Sequence, residues 1–225
     1  MDATFWHERW DSGRIAFHGA EIKQSMIDWF DRVRPDTGSP VFVPLCGKSL
    51  DMTWIRARDH PVVGVELSPV AVRDFFREQG IDAAEQVSSS LAVHEGGGYR
   101  IFCGDFFSMT AADLTGVGAV YDRAALVALP PPVRERYVDH LLSIVPAAAP
   151  ILLFSLEYDP AQMNGPPFSV PVDEVRTRFA GRRPVHVLDE GRDILSEEPG
   201  LAARGLTALS EHAILLDPAT LIDRA

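Results

Sequence analysis

Apolar runs of strand length alternate along this chain with helix-like stretches, and Gly, Pro and Ser punctuate the joins. The runs predict strands at 40–44, 61–66, 99–103, 118–122, 150–156, 184–189 and 207–216. Those around Val41-Phe42-Val43, Val62-Val63-Gly64-Val65 and Ile151-Leu152-Leu153-Phe154 are continuously apolar, as strands covered on both faces are. Helices are expected over an aromatic amphipathic segment at 2–11 and over 20–34, 48–58, 69–79, 131–144 and 172–180. Ser68 is placed to cap the helix that Pro69 opens. Such alternation predicts an α/β fold: a mainly parallel sheet with helices on both faces and right-handed connections. No internal repeat or linker interrupts it, and the patches Ser88-Ser89-Ser90 and Gly96-Gly97-Gly98 read as surface turns. One domain over 1–225 is expected, with N-terminal aromatic helices at 1–35 ahead of a core at 40–216.

Composition narrows the partners. The 225 residues suffice for one large α/β domain, and 46% hydrophobic with 24% charged residues is ordinary globular usage. A net charge of −11 argues against nucleic acid, which needs a basic footprint. Cys46 and Cys103 are the two cysteines, read as reduced thiols, and no His or Cys companions stand at metal-ligand spacing. No apolar run approaches a membrane span, and the start Met-Asp-Ala-Thr-Phe-Trp lacks the regions of a signal peptide. The expectation is a cytoplasmic monomer acting on small molecules, without a metal or a membrane.

The most informative chemistry lies where the first two core strands end. Val41 to Asp51 reads as strand, tight turn at Gly47 and helix, and Val62 to Ser68 as a second strand ending in Glu66, 19 residues beyond Gly47. In a nucleotide-binding βαβ unit an acid about 20 residues past the glycine turn grips ribose hydroxyls. Gly47-Lys48-Ser49 imitates the end of a P-loop, but position 42 is Phe where that motif needs Gly. A dinucleotide fingerprint needs three glycines, and only Gly47 is present. So few free backbone donors suit an adenosine ligand lacking phosphates. S-adenosylmethionine, with S-adenosylhomocysteine as its product, is such a ligand.

Five blocks now carry a resemblance. Phe5-Trp6-His7-Glu8-Arg9-Trp10 with Ile15-Ala16-Phe17-His18, Val43 through Met52, Gly64-Val65-Glu66-Leu67-Ser68, Tyr121-Asp122-Arg123-Ala124-Ala125-Leu126, and Leu156-Glu157-Tyr158-Asp159 through Gly165-Pro166-Pro167-Phe168 resemble, in order, the thiopurine S-methyltransferase family in its bacterial form. The resemblance spans about residues 5 to 170 and weakens over the last fifty. It implies a Rossmann-like class I S-adenosylmethionine-dependent methyltransferase with a seven-stranded sheet whose last strand is antiparallel. It also implies methyl transfer to the sulfur of thiopurines or other aromatic heterocyclic thiols. Bacterial-looking members are associated with selenium and tellurium compounds too, in tellurite and selenite detoxification.

Roles can be attached to residues. The carboxylate of Glu66 can accept from both ribose hydroxyls, and its plain alternative is a capping or surface acid. Leu45 would present its backbone to the methionyl portion, and Gly47 permits close approach of the backbone. Asp105 can accept from the adenine amino group while Phe106 packs on the ring, although an ordinary turn after a strand looks the same. For Arg123 the resemblance implies contact with the cofactor and proximity to the substrate, and its directed donors suit a thiolate's charge; an ion pair with Asp122 or Asp105 is the alternative. Trp6 and Trp10, four apart on one helical face, suit a sulfonium cation as well as core packing. With the resemblance, the N-terminal segment becomes an aromatic lid, Trp10 a cofactor contact and Phe17 a substrate wall. His18 is a candidate proton acceptor but reads better as structural. Pro167 and Phe168 form a stiff apolar rim.

No Ser-His-Asp or Cys-His constellation is visible, and none is expected, since an aromatic thiol is largely ionised when bound. The departure from the family falls at 196–206, where Gly200 stands in place of a basic residue and Arg204 follows four positions later, leaving substrate preference open. A halide or small-thiol methyltransferase on the same scaffold, or a non-catalytic adenosine-ligand sensor, are the competing readings.

Overall fold

The computed structural model describes residues 3–15, 21–33, 35–88, 91–189 and 191–218. It opens with helix α1 (Ala3–Asp11) and the short α2 (Gln24–Trp29), which tightens into a 3-10 turn at Phe30–Arg32. Strand β1 (Val41–Val43), helix α3 (Asp51–Ala57), strand β2 (Val62–Glu66) and helix α4 (Pro69–Glu78) follow in the expected order. A hairpin of β3 (Ala84–Ser88) and β4 (Leu91–Gly96) leads into β5 (Tyr99–Cys103). Then come β6 (Ala119–Asp122), α5 (Ala125–Ala128), α6 (Pro131–Ile144), β7 (Ile151–Glu157) and α7 (Val172–Phe179). The chain ends through β8 (Val185–Val187), β9 (Arg192–Asp193), α8 (Pro199–Ala202) and β10 (Ser210–Leu216).

Local chemistry explains the best-defined boundaries. Ser68 Oγ accepts from Ala71 N at the start of α4, and Pro69 fills a position whose N–H has no helical partner anyway. The buried positions Ala71, Val72, Phe75 and Phe76 then fall on one stripe of that helix. In α6 two prolines occupy the first turn, and Arg134, Tyr137, Val138, Leu141 and Ile144 repeat at three- and four-residue spacing on the covered side. Along β1 the alternation is visible residue by residue. Phe42 joins the core cluster that also holds Tyr137, Leu141 and Phe179, whereas Val41 and Val43 join the one holding Met26, Ile55 and Phe75. Helices thus cover both faces.

The sheet runs β3-β4-β5-β2-β1-β6-β7-β10-β8, with β9 added beside β10. β1 pairs in parallel with β2 on one side and β6 on the other. β2 continues to β5, and β6 to β7, again in parallel. The strand order therefore reverses direction at β1, and loops leaving the carboxyl ends of β1 and β6 diverge to leave a crevice. β10 is antiparallel to both β7 and β8. The seven expected strands are all present.

Three strands exceed that expectation. β3 and β4 form an antiparallel hairpin on the β5 edge, where the sequence suggested only surface turns. β3 reads Ala-Glu-Gln-Val-Ser, too polar to announce a strand; Val87 is 80% exposed, and the strand exists because β4 offers it a paired edge. The Gly97-Gly98 turn stands as expected between β4 and β5, while Ser89 and Ser90 lie outside the described residues. β9 is two residues long, below what periodicity can reveal. The helix expected at 20–34 is confined to 24–29 plus its 3-10 turn.

One buried ion pair ties the helical layer to the loop after β7. Arg134 is 1% exposed; its Nη1 donates to both Glu174 oxygens at 2.9 and 2.7 Å, its Nε to Leu129 O and its Nη2 to Ser169 O. Burial alone would raise the Glu174 carboxyl, but hydrogen bonds from Arg134 and Arg178 hold it below the usual range. Removing the cation takes the donor from two carbonyls, leaves Glu174 with Arg178 alone, and opens a cavity where a side chain 1% exposed had packed. Arg134→Ala is therefore expected to cost about 3–5 kcal/mol of stability, read as a shift of the urea midpoint. A loss under about 1 kcal/mol would mean that water replaces the guanidinium at no cost.

Candidate functional site

The crevice at the carboxyl ends of the strands is a cleft of about 750 Å³, within the range of small-molecule sites. The sequence-derived residues Trp6, Trp10, Leu45, Gly47, Glu66, Asp105, Phe106, Arg123 and Pro167 all line it. Phe17 and His18 lie outside the described residues. Phe168 is not among the lining residues: its ring lies 5.8 Å from the Arg134 guanidinium carbon, and Pro166 takes its place beside Pro167.

Glu66 is 6% exposed at the tip of β2. Its Oε2 accepts from Gly47 N at 2.9 Å and its Oε1 from Ser68 N at 2.7 Å. The carboxylate thus bridges the loop after β1 to the start of α4, and each oxygen retains a lone pair for a hydroxyl donor. Burial pushes this carboxyl up to about 7, against the hydrogen bonds from Ser68 and Gly47 that lower it. The loop it holds is strained: Leu45 sits at φ 46 and Gly47 at φ 54. A left-handed Leu costs roughly 1–2 kcal/mol, and the bridging carboxylate is part of what imposes it. A side chain at Gly47 would come within 3.3 Å of the Trp10 ring, so the glycine lets α1 close on the loop.

The third-strand end builds an aromatic wall. Asp105 Oδ1 accepts from Phe107 N at 3.0 Å, capping a 3-10 turn over Phe106–Ser108. Phe106 is buried, its ring centroid 5.0 Å from that of Tyr137. Phe107, which the sequence did not single out, also lines the cleft, with the Arg136 guanidinium 3.8 Å above its ring. Stacking of that kind leaves Arg136 fixed at the wall.

At the tip of β6, period-two alternation separates neighbours. Asp122 points away from the cleft. It accepts from Ala125 N, Leu126 N and Tyr137 OH, at 2.7 Å for the last, and so caps α5. Burial pushes its carboxyl up to about 6, against the bonds from Tyr137, Leu126 and Ala125. Tyr121 and Arg123 turn to the other face. There Arg123 meets neither Asp122 nor Asp105, the partners the sequence suggested, but Asp51, with Nη1 to Oδ2 at 3.4 Å. Asp51 is 2% exposed and also accepts from Tyr121 OH at 2.9 Å and Lys23 N at 3.3 Å. Arg123 Nε is buried without a hydrogen-bond partner among the described residues, a donor available to a ligand. Sequence reasoning missed Asp51, because an acid in the first turn of a helix reads as ordinary capping chemistry.

The segment at 198–204, where the sequence suggested a departure, closes the cleft on the far side. Glu198, Pro199, Gly200, Leu201 and Arg204 line it. Lys23 Nζ bonds Glu198 at 2.5 Å, joining this segment to the N-terminal part of the chain. A Cβ on Gly200 would meet nothing within 4 Å, so that position is open space. Arg204 reaches the rim from one turn further on and donates to Pro166 O at 2.7 Å. No helix among the described residues is long and apolar enough to cross a membrane. Both cysteines are free thiols.

Comparison with known proteins agrees with this geometry. The family model for thiopurine S-methyltransferase matches residues 1–218. A thiopurine S-methyltransferase of Methylococcus capsulatus is 42% identical over 217 residues, covering 96% of this chain and 97% of that protein. One of Bordetella petrii is 44% identical over 209 residues, with 93% and 95% covered. Among solved structures, a SAM-dependent methyltransferase from Anabaena variabilis superposes with a TM-score of 0.63 at 12% identity, covering 96% and 94%. The 1,6-didemethyltoxoflavin-N1-methyltransferase of Burkholderia thailandensis, solved with its substrate and S-adenosylhomocysteine, gives 0.64 at 11%, covering 96% and 87%. At such identities the structures share the fold.

Glu66 and Asp122 both hold a proton more tightly folded than unfolded. Each therefore adds stability at low pH that is lost as the pH rises through about 7 for Glu66 and about 6 for Asp122. Glu66→Gln is expected to flatten the stability curve between pH 4.5 and 7, by an amount on the order of 3 kcal/mol. Denaturant titrations across that window measure it, and an unchanged slope would mean that water solvates this carboxylate in the fold.

Proposed function

The chain belongs to the thiopurine S-methyltransferase family, and we propose that it methylates the sulfur of thiopurines and related aromatic heterocyclic thiols. It is a methyltransferase with S-adenosylmethionine as cofactor. The observation that carries the reading is the buried Glu66 bridge, with two oxygens facing the cleft beside a glycine turn and an aromatic wall. The finer substrate range, including selenium and tellurium compounds, rests on the soft-nucleophile chemistry the same site would serve. The acidic balance of −11 supports small molecules rather than nucleic acid as partners. We read the chain as one cytoplasmic, monomeric methyltransferase domain.

The residues present fit the cofactor. Glu66 would accept from the ribose hydroxyls through the lone pairs left free by Gly47 N and Ser68 N. Asp105 would accept from the adenine amino group, and Phe106 and Phe107 would pack on the ring. Leu45 and Gly47 bring backbone close to the amino-acid tail. Trp6 and Trp10 offer aromatic faces to a cation. When bound, S-adenosylmethionine supplies an electrophilic methyl group on a sulfonium that leaves as a neutral thioether.

The protein's share of the work is alignment and exclusion of water, worth on the order of 7–11 kcal/mol where alignment is good. Arg123 is held by Asp51 with Nε free, so its planar donors are set before any ligand arrives. Burial opposes its charge, and Tyr121, Asp51, Glu211 and Glu198 around it raise its pKa above the ordinary value, keeping it a cation. Pro166 and Pro167 form the stiff side of the substrate slot.

Turnover of labelled cofactor against 6-mercaptopurine, iodide and hydrogen sulfide tests the substrate class. Preference for 6-mercaptopurine is expected; preference for iodide or hydrogen sulfide would move the chain to halide or small-thiol chemistry. Tight cofactor binding with no methylated product would make it a sensor. Glu66→Ala is expected to weaken S-adenosylhomocysteine binding by about 1.5–3 kcal/mol in calorimetry, and an unchanged affinity would remove the ribose assignment.

A further inference from the structure

Glu211 is a carboxylate to which the account above gives only a share in keeping Arg123 charged. It sits second in β10, is 7% exposed, lines the cleft, and makes no hydrogen bond or ion pair among the described residues. Its direction follows from strand alternation. Ala213, two positions along, packs with Tyr121 and Phe154 in one core cluster, so Glu211 shares the sheet face of Tyr121 and hence of Arg123. β7 separates β6 from β10, which sets the two strands about 10 Å apart. A planar ring fits between a guanidinium and a carboxylate at that spacing.

The surrounding charges define what that ring carries. Arg123 is matched by Asp51 at 3.4 Å and Lys23 by Glu198 at 2.5 Å. Arg192, paired in register with Glu211, is engaged by Glu197, and Arg204 by the carbonyl of Pro166. On the neighbouring strand Glu157 holds His212 at 3.1 Å. Once these pairs are drawn, Glu211 is a cleft-lining carboxylate with no ion pair among the described residues. An incoming thiolate would face repulsion there, whereas a neutral molecule with an N–H donor would find an acceptor.

We propose that Glu211 is a catalytic residue that accepts the ring N–H proton of a heteroaromatic thione during methylation. Heteroaromatic thiols with a nitrogen next to the C–S carbon exist as thiones, with N–H and C=S. The thione sulfur forms the new S–CH3 bond as the electrons of the methyl–sulfonium bond pass to the departing thioether sulfur. The N–H proton moves to the Glu211 carboxylate, the N–H electrons restore the aromatic ring, and a neutral S-methyl product and a neutral carboxylic acid result. This rests on the proposed thiol methylation and names the substrates within it, thiones bearing an adjacent N–H, that draw on the base. It also replaces the expectation, drawn from the sequence, that no dedicated base takes part.

The test compares 2-mercaptopyridine, which has the adjacent N–H, with thiophenolate, which has none. For Glu211→Gln, kcat/KM on 2-mercaptopyridine is expected to fall about 100-fold or more, the usual contribution of a positioned base, with S-adenosylhomocysteine affinity unchanged and a loss on thiophenolate of less than about threefold. Glu211→Asp should recover part of the loss. Should the glutamine variant not fold, the wild-type enzyme decides: a solvent deuterium effect of about 2 on 2-mercaptopyridine against about 1 on thiophenolate supports the transfer, and equal effects overturn it. Equal losses on both substrates, or none, would also overturn it. Wild-type turnover of thiophenolate alone sinks this inference and leaves thiol methylation standing; turnover of neither sinks both.

Discussion

A single buried carboxylate organises the working end of this protein. Glu66 spans the gap between the loop after β1 and the helix after β2, accepting one backbone N–H from each. Without those two donors a carboxylate at 6% exposure would be an uncompensated charge, and without the carboxylate the left-handed turn at Leu45 and Gly47 would lose its anchor. The proposed cofactor site is therefore a compromise. The carboxyl is held near neutrality in its affinity for protons, poised so that hydroxyl donors can complete its solvation. The same loop receives Trp10, so the N-terminal helix closes onto the structure this bridge defines.

A second constraint operates at β6, where three consecutive residues perform three different tasks because a strand alternates its faces. Asp122 is committed to capping α5 and to Tyr137, whose ring supports Phe106. Tyr121 and Arg123 turn instead to Asp51. The aromatic wall and the cationic side of the cleft are thus fastened to the same strand end by two separate buried acids. Asp51 also accepts from Lys23 N, and Lys23 reaches Glu198. One chain of contacts therefore runs from the N-terminal segment through the strand tips to the segment at 198–204 near the C-terminus. Gly200 and Arg204, which line the cleft beyond Glu198, stand on that frame.

Much of this was legible in the residues themselves. Apolar runs located the seven expected strands but not β4, although its Leu91 and Val93 are in the core, and Ser68-Pro69 and Pro131-Pro132 fixed helix starts to the residue, because capping and proline act locally. The pairing of Gly47 with Glu66 was readable for the same reason: the βαβ unit sets the separation of the two strand ends. β3 escaped notice because Ala84 to Ser88 carries no apolar stripe and owes its form to a partner strand.

What the sequence could not decide was which charges meet. Arg123 stands beside Asp122 in the chain, yet alternation turns that acid away and brings Asp51, 72 positions earlier, against the guanidinium. Glu211 is one acid among 32 in composition; only the antiparallel return of β10 beside β7 places it in the cleft, with no ion pair among the described residues. Local patterns specify elements and their ends, because they depend on neighbours along the chain. Electrostatic partnership depends on distance in space, which sheet order and strand register alone supply.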